Sequence, residues 1–268
     1  MTEGGLPPQW RDHADRPVDR PAPPGPVSPA FYVPMMAFQG ADYDRNAFTK
    51  GTEAEAAALV SRLGIEPGDH ILDVGCGTGR HLRHLAATAG VTGVGVDVSP
   101  VLVEVASGFD VAGCRFAVGD ARSLTDVPAV TAEPFDVAWT LCQGAFGTHP
   151  VTDRSVVTSM ASLVRPGGTV VVTAFHALFA ARHLVEGDAY DVVHGVHHQA
   201  TEVRGPDHAR RTFDLWTTAY TAGEVVRLCE DAGLDVVEVV GCEPGRYDAD
   251  ELRLDDPELL VVARRPED

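Results

Sequence analysis

Residues 71–79 read Ile-Leu-Asp-Val-Gly-Cys-Gly-Thr-Gly, an apolar stretch that runs into three glycines spaced two apart. The apolar residues predict a buried β-strand, and Gly75, Gly77 and Gly79 predict a turn that opens a helix. A ligand can approach the main chain of such a turn because glycine has no side chain to block it. The stretch therefore predicts an α/β domain with a ligand at the end of its first strand.

The spacing of these glycines narrows the class of ligand. Turns that bind dinucleotides usually follow the pattern G-x-G-x-x-G and hold a pyrophosphate at the helix N-terminus. Here the pattern is G-x-G-x-G, and the acidic residue Asp73 precedes it. A carboxylate at this place suits a cationic ligand without phosphate groups. The pattern therefore disfavours a nicotinamide-dependent dehydrogenase.

Two further acidic residues follow predicted strands. The β-branched run at residues 92–98 carries Asp97, 18 residues after Gly79. In nucleotide-binding α/β folds, an acidic residue about 20 residues beyond the glycine turn accepts hydrogen bonds from the ribose hydroxyls. Residues 114–118 predict a third strand, and Asp120 comes shortly after it. This order predicts a ligand at the carboxyl edge of a parallel sheet.

Together these motifs resemble those of the class I S-adenosylmethionine-dependent methyltransferases. The resemblance is strongest over residues 41–175 and includes the turn at residues 165–168 before a predicted fifth strand. It implies that S-adenosylmethionine is the cofactor, that Asp97 binds its ribose, that Asp120 accepts from its adenine amino group, and that Tyr43 covers its methionine end. The implied cofactor-binding residues are Tyr43, Asp73, Gly75, Cys76, Gly77, Gly79, Asp97, Val98, Asp120, Ala121 and Leu141.

Each of these residues also has a purely structural explanation. The glycines could form a tight strand-to-helix turn that binds nothing, and Asp97 and Asp120 could be turn residues or helix N-caps. Tyr43 could pack against the core. Cys76 lies between two glycines, so we expect it to offer its backbone to the ligand rather than thiol chemistry.

The fold expected from the whole chain is α/β. Strands and helices alternate from residue 70 to 174, which predicts a parallel sheet with right-handed crossovers. Predicted strands at residues 234–240 and 258–263 would add an antiparallel hairpin. The prediction is a Rossmann-like, doubly wound, mostly parallel seven-stranded sheet with a C-terminal antiparallel hairpin strand and an inserted substructure on the substrate side.

The predicted domain organisation has one catalytic domain. Residues 1–34 contain nine of the 19 prolines and few large apolar groups, so we expect a disordered tail there. Residues 35–268 would form the methyltransferase domain, with a lid at residues 41–64. Within the lid, Thr52 and Glu55 have the spacing of a capping box at the start of a helix.

The predicted substrate side is an insertion at about residues 175–220, too long for an ordinary connection. It holds six of the 11 histidines and several aromatic residues, which suggests a pocket for a small, partly apolar molecule. His176 is the candidate base if the acceptor is a phenol or an alcohol, although it could instead be structural. Histidines 194, 197 and 198 lack a ligand-rich partner motif, so we expect no metal.

The segment after the fourth strand offers two candidate substrate contacts, Gln143 and Phe146. Family members that methylate nucleobase amino groups carry Asn/Asp-Pro-Pro-Tyr/Phe there, and this chain lacks that tetrapeptide. Its absence argues against nucleobase amines.

The charge of the chain bears on its partners. The chain has 21 Lys and Arg residues against 39 Asp and Glu residues, a formal net charge of −18. Such a surface repels phosphate backbones, so we expect no nucleic-acid partner. Five cysteines without a C-x-x-C pair indicate a reduced, cytoplasmic protein, and no apolar run is long enough to span a membrane. A homo-oligomer is possible.

The function expected is transfer of a methyl group from S-adenosylmethionine to an oxygen or nitrogen of a small-molecule metabolite. One alternative is a methyltransferase acting on protein or structured RNA, for which Arg204, Arg210 and Arg211 give weak support. Another is a non-catalytic module that binds the cofactor or S-adenosylhomocysteine as a sensor.

Overall fold

The computed structural model describes residues 29–148 and 150–267, so most of the predicted tail, residues 1–28, lies outside the described residues. A 3₁₀ turn at Pro29–Tyr32 leads directly into a helix at Val33–Gln39. The prediction that disorder extends to residue 34 is therefore wrong, because this segment packs on the insertion: the Tyr32 hydroxyl donates to the Trp216 carbonyl over 3.0 Å.

The strands and helices appear close to where the sequence predicts them. The described strands are β1 (His70–Val74), β2 (Thr92–Asp97), β3 (Cys114–Val118), β4 (Phe135–Thr140), β5 (Val164–His176), β6 (Ala189–Asp191), β7 (Val196–Arg204), β8 (Arg210–Tyr220), β9 (Asp235–Cys242) and β10 (Glu258–Arg264). The described α-helices are α1 (Val33–Gln39), α2 (Thr52–Leu63), α3 (Arg80–Ala89), α4 (Pro100–Gly108), α5 (Pro150–Leu163), α6 (Ala177–Arg182) and α7 (Ala222–Asp231).

The central sheet has seven strands in the order β3-β2-β1-β4-β5-β10-β9. The first five are parallel to one another, and β10 runs antiparallel to both of its neighbours. This confirms the predicted α/β, mostly parallel sheet with an antiparallel hairpin at its C-terminal end. The chain order reverses between β1 and β4, and ligands of such sheets bind at the carboxyl ends of the strands at this point.

Alternating side chains bury both faces of the sheet. Ile71 and Trp139 face one apolar cluster with α2 and α3, whereas Leu72 and Ala138 face another with α5 and α7. Each fully buried aliphatic side chain stabilises the fold by roughly 1.5–3 kcal/mol relative to an exposed one. Helices therefore cover both faces of the sheet, so a ligand would bind at the ends of its strands.

The insertion is an antiparallel sheet of β6, β7 and β8. It joins the central sheet because β8 pairs in parallel with the end of β5, with Phe175 opposite Ala219 and His176 opposite Tyr220. None of the described helices is long and apolar enough to cross a membrane.

The predicted capping box is wrong. Gly51, not Thr52, is the N-cap residue of α2, and it makes no side-chain cap. The Glu55 side chain is instead buried. A capping box does occur at the start of α7, between Thr221 and Glu224.

Candidate active site

The glycine turn connects β1 to α3 and is held against β2. The Gly75 N–H donates to the Val96 carbonyl over 2.7 Å. All three glycines have positive φ, with 73° at Gly75, 54° at Gly77 and 71° at Gly79. Side chains are strained in this left-handed region, so the conformation of the turn itself requires glycine.

Two of the glycines are also required by the packing of the protein against itself. A Cβ atom on Gly75 would lie 2.2 Å from the Gly144 carbonyl carbon, and one on Gly79 would lie 2.3 Å from the Phe116 ring. A Cβ atom on Gly77 would have room, because the nearest group, Tyr43, would lie 3.6 Å away. Ligand access is therefore a better reason for a glycine at position 77 than at positions 75 and 79.

Asp97 shapes the turn from the end of β2. Its Oδ2 accepts from the Gly77 N–H and its Oδ1 from the Ser99 N–H, both over 2.8 Å. Burial raises the pKa of this carboxyl group, while the two hydrogen bonds favour its ionised form. A carboxylate has about four acceptor positions. Two of them therefore remain for hydroxyl donors of a ligand.

A small cavity of about 20 Å³ lies beside Asp97. Its lining includes five of the predicted cofactor-binding residues, Gly75, Asp97, Val98, Asp120 and Ala121. The structure thus brings together the acids that follow β2 and β3 at one edge of the sheet.

Asp120 pairs with Arg122, a residue that the sequence analysis did not identify as part of the site. Arg122 forms an ion pair with it over 2.5 Å and also lines the cavity. The hydrogen bond from Arg122 lowers the pKa of Asp120. Asp120 also accepts from the Arg122 main-chain N–H over 2.9 Å, as an N-cap residue does. An adenine amino group would have to share this carboxylate with Arg122.

Asp73 lies in the core beneath the turn, 3% exposed. Burial raises its pKa to about 7. The Trp139 indole nitrogen faces it across the β1–β4 pair, but neither that nitrogen nor Asp73 Oδ2 has a well-aligned partner. An unsatisfied buried oxygen costs roughly 1–3 kcal/mol. A cationic group of a ligand would satisfy it.

The predicted lid contacts the turn. Tyr43 faces Gly77, and burial raises the pKa of its hydroxyl well above the usual range. Next to it, Asp44 accepts a hydrogen bond from the Thr78 hydroxyl over 2.7 Å. Tyr43 and Asp44 therefore pack on the glycine turn.

A buried ionic network, which we call the lid latch, joins α2 to α3 and to the loop after β9. Glu55 accepts from Arg80 over 2.5 Å, from His81 Nε2 over 2.7 Å and from the Gly245 N–H over 2.7 Å. Burial would raise the pKa of Glu55, but its hydrogen bonds and the charge of Arg80 outweigh burial and hold it at about 2. Burial lowers the pKa of His81, so a neutral His81 donates to an ionised Glu55.

The lid latch contains donor atoms of the kind that bind metals. One donor atom each from Glu55, His81 and Cys142 lies within 4.8 Å of the others. However, Arg80 contacts the Glu55 carboxylate over 2.5 Å and the Cys142 sulfur over 3.0 Å. The guanidinium group already supplies the positive charge, so the cluster acts as an ion-pair network.

The structure places several predicted residues in the core rather than on the described cavity. Phe146, predicted as a substrate contact, is fully buried and packs against Tyr220 with ring centroids 5.1 Å apart, so it does not line the described cavity. His176 is also buried, and its Nδ1 lies 3.0 Å from the Asp256 carbonyl. Since a carbonyl only accepts, Nδ1 carries a proton. Leu141 and Cys76 are likewise buried.

The fold and site together define a class I S-adenosylmethionine-dependent methyltransferase domain. The glycine turn, the acid after β2 and the antiparallel β10 are its structural marks. Residues 71–168 match the family model described as a methyltransferase domain. This segment of the chain is therefore a methyltransferase domain, and S-adenosylmethionine is its cofactor.

Curated relatives support the assignment. The chain is 29% identical to an uncharacterised methyltransferase of Emericella nidulans over 67% of its length and 62% of the relative's. It is 32% identical to an O-methyltransferase of Pyrenophora dematioidea, over 45% of each chain. It is 33% identical to the dTDP-4-amino-2,3,4,6-tetradeoxy-D-glucose N,N-dimethyltransferase of Saccharopolyspora spinosa, over 48% of this chain and 51% of that one. The chain thus spans between about half and three-fifths of these relatives.

Solved structures share the fold. The CcbJ methyltransferase of Streptomyces caelestis superposes with a TM-score of 0.70 at 18% identity, over 86% of this chain and 98% of that chain. CalS10, an amino pentose methyltransferase of Micromonospora echinaspora solved with bound S-adenosylmethionine, has a TM-score of 0.57 at 22% identity, over 85% and 97%. These proteins therefore share the fold of the chain over most of its length.

Proposed function

We propose that this protein transfers a methyl group from S-adenosylmethionine to an oxygen or nitrogen atom of a small-molecule metabolite by in-line displacement. The observation that carries the proposal is the placement of two different acids around the glycine turn. Asp97 keeps free acceptor positions beside an open cavity, whereas Asp73 keeps an unsatisfied oxygen beneath the turn. Hydroxyl donors suit the first, and an ammonium group suits the second.

The chain's residues would bind the cofactor in three parts. The cavity beside Val98, Asp120 and Ala121 would hold the adenine, and Asp97 would accept from the ribose hydroxyls. Asp73 would pair with the ammonium group of the methionine end. Arg80, which the sequence analysis did not single out, lies close enough to Asp73 to lower that residue's pKa, although its guanidinium group is already paired with Glu55 in the lid latch.

The cofactor supplies an activated methyl group on a sulfonium ion. For such a displacement, the protein contributes chiefly by alignment and exclusion of water. Tyr43 and the lid would close over the turn, and the segment from Leu141 to Gly144 would border the methyl group because Gly144 packs directly on Gly75. His176 remains a proposed base for a hydroxyl acceptor, with Nε2 as the atom able to take up a proton.

The relatives support small molecules as acceptors. Their printed names include an O-methyltransferase and an N,N-dimethyltransferase of an amino sugar nucleotide. The net charge of −18 also makes long phosphate backbones unfavourable substrates.

The test is transfer of labelled methyl groups from S-adenosylmethionine into cell extract separated into small metabolites and macromolecules. The proposal expects label among the small metabolites with the wild type and about tenfold less with Asp97→Ala. Label confined to protein or RNA would support a macromolecular acceptor instead. Tight cofactor binding without label in either fraction would support a sensor.

A further inference from the structure

Another buried carboxyl group, outside the proposed cofactor site, lies at the same edge of the sheet. Glu258 is the first residue of β10, opposite Phe175 on β5 and Cys242 on β9. Because β10 is antiparallel to β5, its first residue lies at the carboxyl end of β5. This end adjoins β4, whose following loop packs on the glycine turn.

The surroundings of Glu258 leave its charge uncompensated. The residue is 4% exposed, and its closest sulfur partner, Cys242 Sγ, is 4.0 Å away. The charged groups that influence it, Glu55 and Glu243, are also acidic. Among the residues that the structure describes, no Lys, Arg or His forms an ion pair with it. A buried carboxylate without a cation is costly unless a ligand supplies one.

Gln143 connects Glu258 to the glycine turn. Its amide faces the Glu258 carboxyl group, yet its Nε2 makes no well-aligned hydrogen bond. Both Cys142 and Gln143 have positive φ, 51° and 53°, a conformation that is strained for residues with a side chain. The next residue, Gly144, packs against Gly75. Such strain persists where the surrounding structure fixes a functional segment.

We propose that Glu258, positioned by Gln143, binds the ammonium group of an amine acceptor and takes up the proton that this group must lose before methylation. The proposal rests on the proposed function and assigns its substrate class as an amine. An alcohol or phenol would place a neutral group against an uncompensated acidic site. An ammonium group supplies the missing cation.

The proposed reaction begins with loss of a proton from the acceptor. An N–H bond of the ammonium group breaks, and the proton moves to a carboxylate oxygen of Glu258. The freed lone pair on nitrogen forms the new N–C bond while the C–S bond breaks, and the pair of electrons from that bond remains on sulfur. The product leaves as a methylated ammonium ion, and Glu258 returns its proton to water.

The acidity of Glu258 suits this role. Burial raises its pKa from 4.5 to about 7, against the opposing effect of the Gln143 amide. A general base works best when its pKa lies near the operating pH. The titratable groups around it are Glu55, Glu243, Cys142, Cys242 and Tyr247, together with His176 on β5 and Asp256 on the preceding loop. The nearby cations Arg80 and Arg246 are paired with Glu55 and Glu243 rather than with Glu258.

The first test needs no known acceptor. Benzylamine and benzyl alcohol, which differ in the reacting group, are titrated calorimetrically into the S-adenosylhomocysteine complex of the full chain at pH 7.5. The wild type should prefer benzylamine by about tenfold or more, and Glu258→Gln should lose that preference. Glu251→Gln, an exposed position on the preceding loop, is the matched control. Equal binding of both probes by the wild type, binding of neither, or an unchanged preference in Glu258→Gln would overturn the proposal.

The second test separates this proposal from the proposed function. S-adenosylmethionine affinity is measured in the same variants and should change less than about threefold in Glu258→Gln, because Glu258 is not placed in the cofactor site. Loss of cofactor binding by the wild type would contradict the proposed function itself. Normal cofactor binding with turnover of alcohols or phenols but not amines would contradict the assignment of Glu258 alone.

The role of Gln143 as a positioning residue is tested separately, with the variant Gln143→Asn. Gln143→Asn keeps the amide and tolerates the positive φ, but it withdraws the nitrogen from Glu258 by one methylene. The expected result is a shift of the ascending limb of the pH–rate profile for amine methylation, with KM for S-adenosylmethionine unchanged. An unchanged pH profile would show that Gln143 has only a structural role.

Discussion

At the scale of single residues, burial gives similar carboxyl groups different tasks. Asp97 is the last residue of β2 and Asp73 the last but one of β1, so both lie near the carboxyl edge of the sheet, and both are buried. Asp97 is satisfied by two main-chain donors, whereas Asp73 keeps an unsatisfied oxygen. The spacing of the sequence predicted both as cofactor residues. The spacing could not distinguish the two acids, because the difference lies in the hydrogen bonds that each carboxyl group makes in the folded chain.

Asp73→Asn should remove the pH dependence of cofactor binding. The pKa of Asp73 is raised from 3.8 to about 7, and an ammonium group favours the ionised form. Affinity of the wild type for S-adenosylmethionine should therefore rise between pH 6 and pH 8, by up to about tenfold per pH unit below the pKa. The Asn variant should bind weakly at both pH values.

Calorimetry at pH 6 and pH 8 measures this effect. Asp110→Asn is the control, because Asp110 is exposed and its φ of 46° is one that asparagine tolerates. A wild-type affinity that stays constant over this pH range would contradict the role of Asp73.

At the scale of elements, local patterns predicted the strands well and the contacts between elements poorly. Strands β1, β2 and β3 have the predicted bounds, because alternation and β-branched residues are local properties. Glu55 was instead predicted as part of a capping box, yet it accepts from Gly245, 190 residues away along the chain. Phe146 was predicted to face the substrate and lies in the core. Local spacing carries no information on such distant partners.

Glu55→Gln should release the lid latch. Removing one partner of a buried ion pair leaves Arg80 uncompensated, which costs about 3–5 kcal/mol of stability. Hydrogen exchange in α2 should also speed up, since Glu55 fixes that helix to α3 and to Gly245. Urea unfolding at pH 7 gives the free energy, with Glu53→Gln on the exposed side of the same helix as the control.

The stabilisation from Glu55 should depend on pH in a defined direction. Its folded-state pKa is lowered from 4.5 to about 2, so the contribution is fully present above pH 4.5 and is lost as the pH falls toward 2. Equal unfolding free energies for wild type and Glu55→Gln at pH 7 would refute the latch.

At the scale of the whole molecule, the sheet order places the cofactor site and the proposed acceptor site along one edge. The sequence predicted the seven-stranded sheet, the antiparallel hairpin and the insertion, because each has its own local pattern or length. It did not indicate Glu258, which simply begins a predicted apolar strand. Only the pairing of β10 with β5 and β9 shows that this residue is buried at the binding edge.

The raised carboxyl pKa values, among them that of Glu258, imply a pH-dependent stability of the cofactor-free protein. An acid whose folded pKa exceeds its unfolded pKa binds more protons when folded, so stability falls as pH rises through the interval between the two values. For Glu258 that interval is 4.5 to about 7. Glu258→Gln should therefore exceed the wild type in stability by up to about 3 kcal/mol at pH 8.

The extra stability of Glu258→Gln should nearly disappear at pH 5, because Glu258 is then protonated in the folded wild type. Urea unfolding of wild type, Glu258→Gln and the control Glu251→Gln at both pH values measures it. A difference between wild type and Glu258→Gln that is the same at pH 5 and pH 8 would argue against a buried, ionisable Glu258.

The central claim, that the glycine turn and Asp97 hold S-adenosylmethionine, is tested most directly by calorimetric titration of the full chain with this cofactor and with S-adenosylhomocysteine. The wild type should bind both with dissociation constants on the order of micromolar, and Asp97→Ala should weaken binding by about 1–3 kcal/mol because ribose hydroxyls lose a buried partner. Absence of binding by folded wild-type protein, or equal affinity in Asp97→Ala, would contradict the claim.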